Sequence, residues 1–177
     1  MSFYTPGDYA AGDALSAAKV NRDGYSNMTW LYAQYPQRAT LYHDESVVMN
    51  GNAITGTVDT AQSYMTFFNQ SAAAINDQFT HTVRLGAGVY QVKFVGQQHA
   101  SGGIFEVDID GASVGDGFDA YSGATQDNAD LLDTAFVELT TAGVHTITVT
   151  VYDQNGASAG YELRLTTIEL IPQVGDL

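Results

Sequence analysis

The chain contains no cysteine. That excludes disulfide staples, thiolate metal sites and a cysteine nucleophile. Basic residues are scarce: six Lys and Arg stand against 20 Asp and Glu, a formal charge of −14. Such a surface repels phosphate backbones and anionic lipid, so neither nucleic acid nor a membrane surface is expected as a partner. The acids are scattered rather than blocked, so no acidic tail is implied. No stretch approaches the roughly 18 apolar residues that a spanning helix needs. The opening Met1-Ser-Phe-Tyr-Thr-Pro-Gly-Asp8 has no basic region ahead of an apolar one, and no secretion signal is expected. No Gly-x-Ser-x-Gly elbow is present, and no two histidines stand at a metal-ligand spacing such as His-x3-His.

What is present is alternation. In Gly88–Val95, Tyr90, Val92 and Phe94 share one face, and Gln91 and Lys93 the other. In Val144–Val151, Ile147, Val149 and Val151 oppose Thr146, Thr148 and Thr150. Period two with β-branched and aromatic residues signals a half-buried strand. Each of these stretches follows a Gly turn, and each needs an antiparallel sheet and a second layer to cover its apolar face. Further strands are expected at Thr40–His43, Ser46–Met49, Ser63–Phe68, Phe79–Leu85 and Phe105–Ile109, and a short one at Val137–Leu139. Asn50-Gly51-Asn52 reads as a hairpin turn. Asp110-Gly111 reads as a tight turn with positive φ at the glycine. Residues 112–134 read as a long irregular connection. In the last strand Tyr161, Leu163 and Leu165 share a parity that Ile168 and Leu170 reverse. A strand changes its buried face only through a bulge or bend, which is expected at Thr166–Thr167.

At 177 residues the chain suits one domain with an extension, able to bury roughly 70% of its unfolded surface. The expected division is a jelly-roll β-sandwich over 37–177 and an N-terminal arm over 1–36. Within the arm, residues 14–34 read as a helix with Asp13 or Ser16 as N-cap and Pro36 just past its end. Val20, Met28 and Leu31 form its thin apolar stripe. Such a helix is too weakly apolar to stand alone.

Two resemblances follow from these residues. The order "GAGVYQVKF", polar loop, "IFEVDIDGASVG", long loop, "FVELTTAGVHTITVTVYD", polar loop, "YELRLTTIELIP" resembles the galactose-binding-like jelly rolls of carbohydrate-binding modules. It implies an all-β antiparallel sandwich that binds or scaffolds rather than catalyses. Ala11-Gly-Asp-Ala-Leu-Ser-Ala-Ala-Lys-Val-Asn21 resembles the opening of many tailed-bacteriophage virion proteins, a segment at the attachment end of tail, fibre or decoration proteins. It implies a non-enzymatic virion surface protein made in the host cytoplasm, with capsid decoration ahead of a minor tail role. Phage structural proteins and sister subunits, as a trimer, would then be its partners. Tyr4, Leu15, Val20, Met28, Trp30 and Leu31 would carry assembly. The alternative is a carbohydrate-binding adhesin module with a cell-surface glycan as partner.

Candidate site residues follow from chemistry. Sugars stack on aromatic faces, and Tyr also hydrogen-bonds; Tyr121 and Tyr161 neighbour the polar loops and are the candidate glycan contacts. Trp30 lies in the arm and reads as a packing anchor. Asp108, Asp110, Asp116 and Asp119 put four carboxylates into one stretch. Asp-rich loops wrap Ca²⁺, so these are the candidate calcium ligands, although the EF-hand order is absent. The competing reading is a solvated acidic loop whose aspartates close turns. No other cofactor is expected. His81 and His145 fall on apolar parities and read as core histidines with a hydrogen-bond partner.

Overall fold

The computed structural model describes residues 39–42, 47–50, 57–59, 64–68 and 73–173. The expected arm helix, the 36/37 boundary and the assembly residues Tyr4, Leu15, Val20, Met28, Trp30 and Leu31 lie outside them. Twelve strands run in chain order: β1 Ala39–Tyr42, β2 Val47–Asn50, β3 Thr57–Asp59, β4 Tyr64–Phe68, β5 Gln78–Leu85, β6 Gly88–Gln98, β7 Ile104–Ile109, β8 Ala112–Ser113, β9 Phe118–Asp119, β10 Gln126–Leu139, β11 Gly143–Asp153 and β12 Leu163–Pro172. Among the described residues they form two sheets of six strands, where the sequence leads one to expect two antiparallel sheets of about four each. Sheet A runs β10-β6-β12-β4-β3, with β1 also on β12. Sheet B runs β2-β5-β11-β7-β8, with β9 also on β7. Every pairing between strands is antiparallel.

The alternation read from the sequence becomes the core. Tyr90, Val92 and Phe94 of β6 face Phe105, Val107 and Ile109 of β7 and Ile147, Val149 and Val151 of β11 across the sandwich, all essentially without solvent exposure. Aromatic rings concentrate toward one end. Phe67 and Phe68 stack on Phe79 and Phe105 at centroid separations of 4.4 and 5.6 Å, and Phe118 sits 5.4 Å from both Phe94 and Phe105. Aromatic pairs at these separations add to simple burial. His81 is buried, edge-on to Phe79 at 5.9 Å, and burial holds its pKa below the ordinary imidazole value.

The bulge expected in the last strand is present. Against β6, Leu165 pairs with Gly96 but Thr167 pairs with Val95, so Thr166 is the extra residue. The shift lets Leu163, Leu165, Ile168 and Leu170 all be buried despite their opposite parities.

Two expectations need correction. Residues 112–134 are not an irregular connection: they hold β8, β9 and the first nine residues of β10, a 14-residue strand. Its signal is hidden because β10 is an edge strand with three register shifts. Each shift breaks period two, and Asp127, Asp130 and Asp133 face water, as suits an edge that must not recruit another strand. Nor does Asn50-Gly51-Asn52 join a hairpin: β2 pairs with β5 in one sheet and β3 with β4 in the other.

Antiparallel order gives the sandwich two unlike ends. At the turn end, short connections carry β5 into β6, β7 into β8 and β10 into β11. At the loop end, longer segments over 99–103, 120–125 and 154–162 connect β6 to β7, β9 to β10 and β11 to β12.

Candidate functional site

At the loop end the 99–103 loop is laced to its neighbours through backbone hydrogen bonds. On one side His99 N–H donates to Ala120 O at 3.1 Å, Ala120 N–H to Gly103 O at 2.9 Å and Ser122 N–H to His99 O at 3.1 Å. On the other, Glu162 N–H donates to Ser101 O at 2.9 Å and Ala159 N–H to Ala100 O at 3.0 Å. Gly102 permits the first approach, because a Cβ there would lie 2.0 Å from Ala120 O. Gly103 permits the second, because a Cβ there would lie 3.0 Å from Tyr161 Cα.

The consequence is that Tyr121 and Tyr161 flank one loop. Tyr121 bridges to His99, and Tyr161 stands beside Gly103 with its neighbour Glu162 bridged to Gly102. Both tyrosines are half-buried. Their approach is fixed by backbone, so two aromatic rings are held at the rim without long flexible side chains having to be ordered.

Polar groups surround them. Asp119 accepts from Tyr121 N–H through Oδ1 at 2.8 Å and from Asn155 Nδ2 through Oδ2 at 2.5 Å, fastening the 118–122 segment to the 154–162 loop. Gln97, buried to 2% exposure, donates from Nε2 to Asp127 Oδ1 at 2.5 Å and accepts from Arg164 Nη1. Arg164 also reaches Glu162 Oε1 from Nε and Nη2, both at 2.8 Å, and lies over the Tyr64 ring 5.2 Å from its centroid. His99 is buried; its Nδ1 accepts from Ser101 N–H at 3.3 Å, while its Nε2 has no hydrogen-bond partner among the described residues. Burial, then the charge of Arg164, push the His99 pKa down to about 4, so the ring is neutral at physiological pH.

The four aspartates of the sequence reading do not come together. Asp119 is at the loop end, opposite Ile104 at the start of β7. Asp110 follows the other end of β7, six residues of strand away, which is roughly 20 Å. Asp110 spends its carboxylate on Thr146 N–H at 2.8 Å and on His145 Nδ1 at 2.6 Å. Asp108 lies on β7 opposite Ser113 and Thr148, and Asp116 is exposed between β8 and β9. Among the described residues no three acidic or histidine side chains gather where they could hold a metal ion. The structure thus sets Asp110 and Asp119 at opposite ends of β7 rather than beside one another.

Gln97, His99, Glu162 and Arg164 were not singled out from the sequence. The only local sign is that Glu162 and Arg164 share the polar parity next to Tyr161, Leu163 and Leu165. The loop end as a whole brings two half-buried tyrosines to a segment that carries amide and carboxylate groups. Glu162 is bonded to Arg164, and Asp119 to Tyr121 and Asn155.

No family model and no curated protein matches the chain. Solved structures do match. A xanthan lyase from Paenibacillus superposes with a TM-score of 0.57 at 20% identity, over 76% of this chain and 12% of that one. A two-domain esterase active on acetylated mannans, co-crystallised with mannopentaose, superposes with a TM-score of 0.50 at 17% identity, over 90% of this chain and 46% of that one. The CBM36-1 domain of a multidomain xylanase from the hindgut metagenome of Trinervitermes trinervoides gives a TM-score of 0.49 at 14% identity, over 79% of this chain and all of that one. The chain therefore spans a small part of the first and under half of the second. At these identities the likeness is one of fold: an all-β antiparallel sandwich.

Proposed function

We propose that the protein is a non-catalytic, carbohydrate-binding surface protein whose glycan site is the loop end between Tyr121 and Tyr161. The observation that carries this reading is that two tyrosines 40 positions apart in sequence flank one loop. Both tyrosines are half-buried beside a segment where Asp119 takes hydrogen bonds from Asn155 and Gln98, and a tyrosine offers a sugar ring both an apolar face and a hydroxyl. The fold shared with parts of a xanthan lyase and a mannan esterase agrees with such a role. Binding to a glycan array measures it directly. Wild-type protein is expected to retain particular glycans, and Tyr161→Ala to lose at least about tenfold in affinity, roughly 1.4 kcal/mol. Equal binding by the variant would remove Tyr161 from the site.

The opening Ala11–Asn21 supports a second layer to this reading: display on a tailed-phage virion, as a capsid decoration protein first and a minor tail protein second. A decoration knob that binds glycans satisfies both. The test is occupancy. Imaging of particles carrying the protein is expected to find it at repeating lattice positions on the capsid; density at the tail alone would select the tail role, and absence from particles would dismiss both.

A further inference from the structure

The outer face of sheet A carries an apolar row at the turn end. Register puts Phe136 of β10, Gln91 of β6 and Ile171 of β12 side by side, all pointing away from the core. Val89 is the next outward residue along β6. Phe136 is 56% and Val89 39% exposed, among the few large apolar side chains the described residues leave in solvent. Immediately along the strands the same face turns acidic. Lys93 is tied to Asp130 at 2.7 Å and feels Glu169 and Asp133 as well, while Glu138 stands opposite Val89.

β1 begins at Ala39, paired with Leu170, one register step from Ile171. The first described residue of the chain therefore stands beside the apolar row, and 38 residues precede it in sequence. They are also chemically unlike the sandwich. Residues 1–38 hold three basic side chains (Lys19, Arg22, Arg38) against three acidic ones (Asp8, Asp13, Asp23), leaving three basic against 17 acidic for residues 39–177. Half of the chain's cations thus lie in the 38 residues ahead of a strongly acidic remainder. The same segment contains the single tryptophan, Trp30. Trp30 precedes Ala39 by nine residues, a reach of up to roughly 30 Å when extended. From β1 to β10 is three strand spacings, about 14 Å.

We propose that the row Phe136–Gln91–Ile171, with Val89, is the docking surface for residues 1–38 of the same chain, with Trp30 against Phe136 and the arm's basic side chains toward Asp133, Glu138 and Glu169. Tethering favours the chain's own segment over a sister copy's, because a short connection gives a high effective concentration. This surface is separate from the loop-end glycan site and does not depend on it.

Trp30 reports on the proposal without labelling. Its emission wavelength and acrylamide quenching are measured in the full-length protein, in Phe136→Ser and in Phe136→Leu, across a range of protein concentrations. Wild type is expected to emit at short wavelength with weak quenching, independently of dilution. Phe136→Ser should shift the emission to longer wavelength and raise quenching several-fold, and Phe136→Leu should stay close to wild type. High salt should move wild type part of the way toward the serine variant. Because Phe136 lies outside the core, an unchanged urea midpoint for the sandwich serves as the folding control. Emission unchanged by Phe136→Ser, or fully exposed emission in wild type, would overturn the proposal. A short-wavelength emission that is lost on dilution would also overturn it, by making the occupant a second copy.

Discussion

Both ends of the sandwich bury a histidine whose Nε2 has no hydrogen-bond partner among the described residues, yet the two are held in opposite ways. At the loop end, His99 Nδ1 accepts from a backbone N–H, so the proton sits on the unpartnered nitrogen. Its nearest acid, Glu162, is 3.9 Å away and engaged with Arg164. At the turn end, His145 Nδ1 meets Asp110 Oδ2 at 2.6 Å, and the same carboxylate takes Thr146 N–H. Desolvation pushes the Asp110 carboxyl up, but the bonds from Thr146 and His145 and the charge of His145 outweigh it and hold the pKa below the usual range. For His99, burial is the larger cause of the lowered pKa and the Arg164 charge the smaller, whereas the His145 ring is anchored by a carboxylate inside a turn.

Glycines sharpen the same contrast and give the largest expected effect. Gly102 is required by space, since any Cβ there overlaps Ala120 O. Gly111 is required by conformation: its φ is +79° with nothing within 4 Å of a built Cβ. It follows Asp110, itself at φ +53°, in the two-residue turn closed by Ile109 and Ala112. Gly102→Ala is expected to cost more than about 4 kcal/mol, as severe overpacking against backbone does. Gly111→Ala should cost about 1 kcal/mol. Urea midpoints of the two variants measure the difference; equal losses would show that the loop end yields more easily than its packing implies.

The next effect is acid sensitivity at the loop end. With a folded pKa near 4 against about 6.5 unfolded, His99 binds its proton more readily in the unfolded chain. Its share of stability is complete above pH ~6.5 and falls as pH drops toward 4, by on the order of 2 kcal/mol. His99→Gln should flatten that part of the stability–pH curve, followed by urea unfolding at fixed pH steps. An unchanged slope would mean that water reaches the ring.

The smallest effect belongs to the turn end. Asp110 is half exposed there, so solvent screening limits its worth, and Asp110→Asn should cost about 1 kcal/mol at pH 7. A depressed folded pKa makes this contribution complete above the ordinary carboxylate range near 4 and loses it as pH falls through the lowered value. Wild type and variant should therefore converge in strong acid. A gap that persists there would assign the loss to geometry rather than charge.

Legibility followed the same division. β5, β6, β7 and β11 alternate cleanly because each buries one face along most of its length. The bulge at Thr166 was readable because a parity change has only that physical solution. Of β10 only the Val137–Leu139 end was readable, since three register shifts and an acidic outer edge erase the period before it. In the candidate site, Tyr121 and Tyr161 could be named as aromatics near polar loops. The network around Arg164 could not, because Gln97 and Arg164 are 67 residues apart and meet only through the register of β6 against β12.

By itself, the sequence determined the class and the local devices: an antiparallel sandwich, its inward faces, the positive-φ turn at Asp110-Gly111 and the excess of negative charge. These are local because pleat, turn geometry and charge are properties of neighbouring residues. The tertiary structure alone decided which strands pair, which aspartates are separated by the length of β7, and that the 99–103 loop joins Tyr121 to Tyr161. Such contacts depend on choosing one register among many that satisfy the same alternation. That choice is made only when all the buried faces close on one another at once.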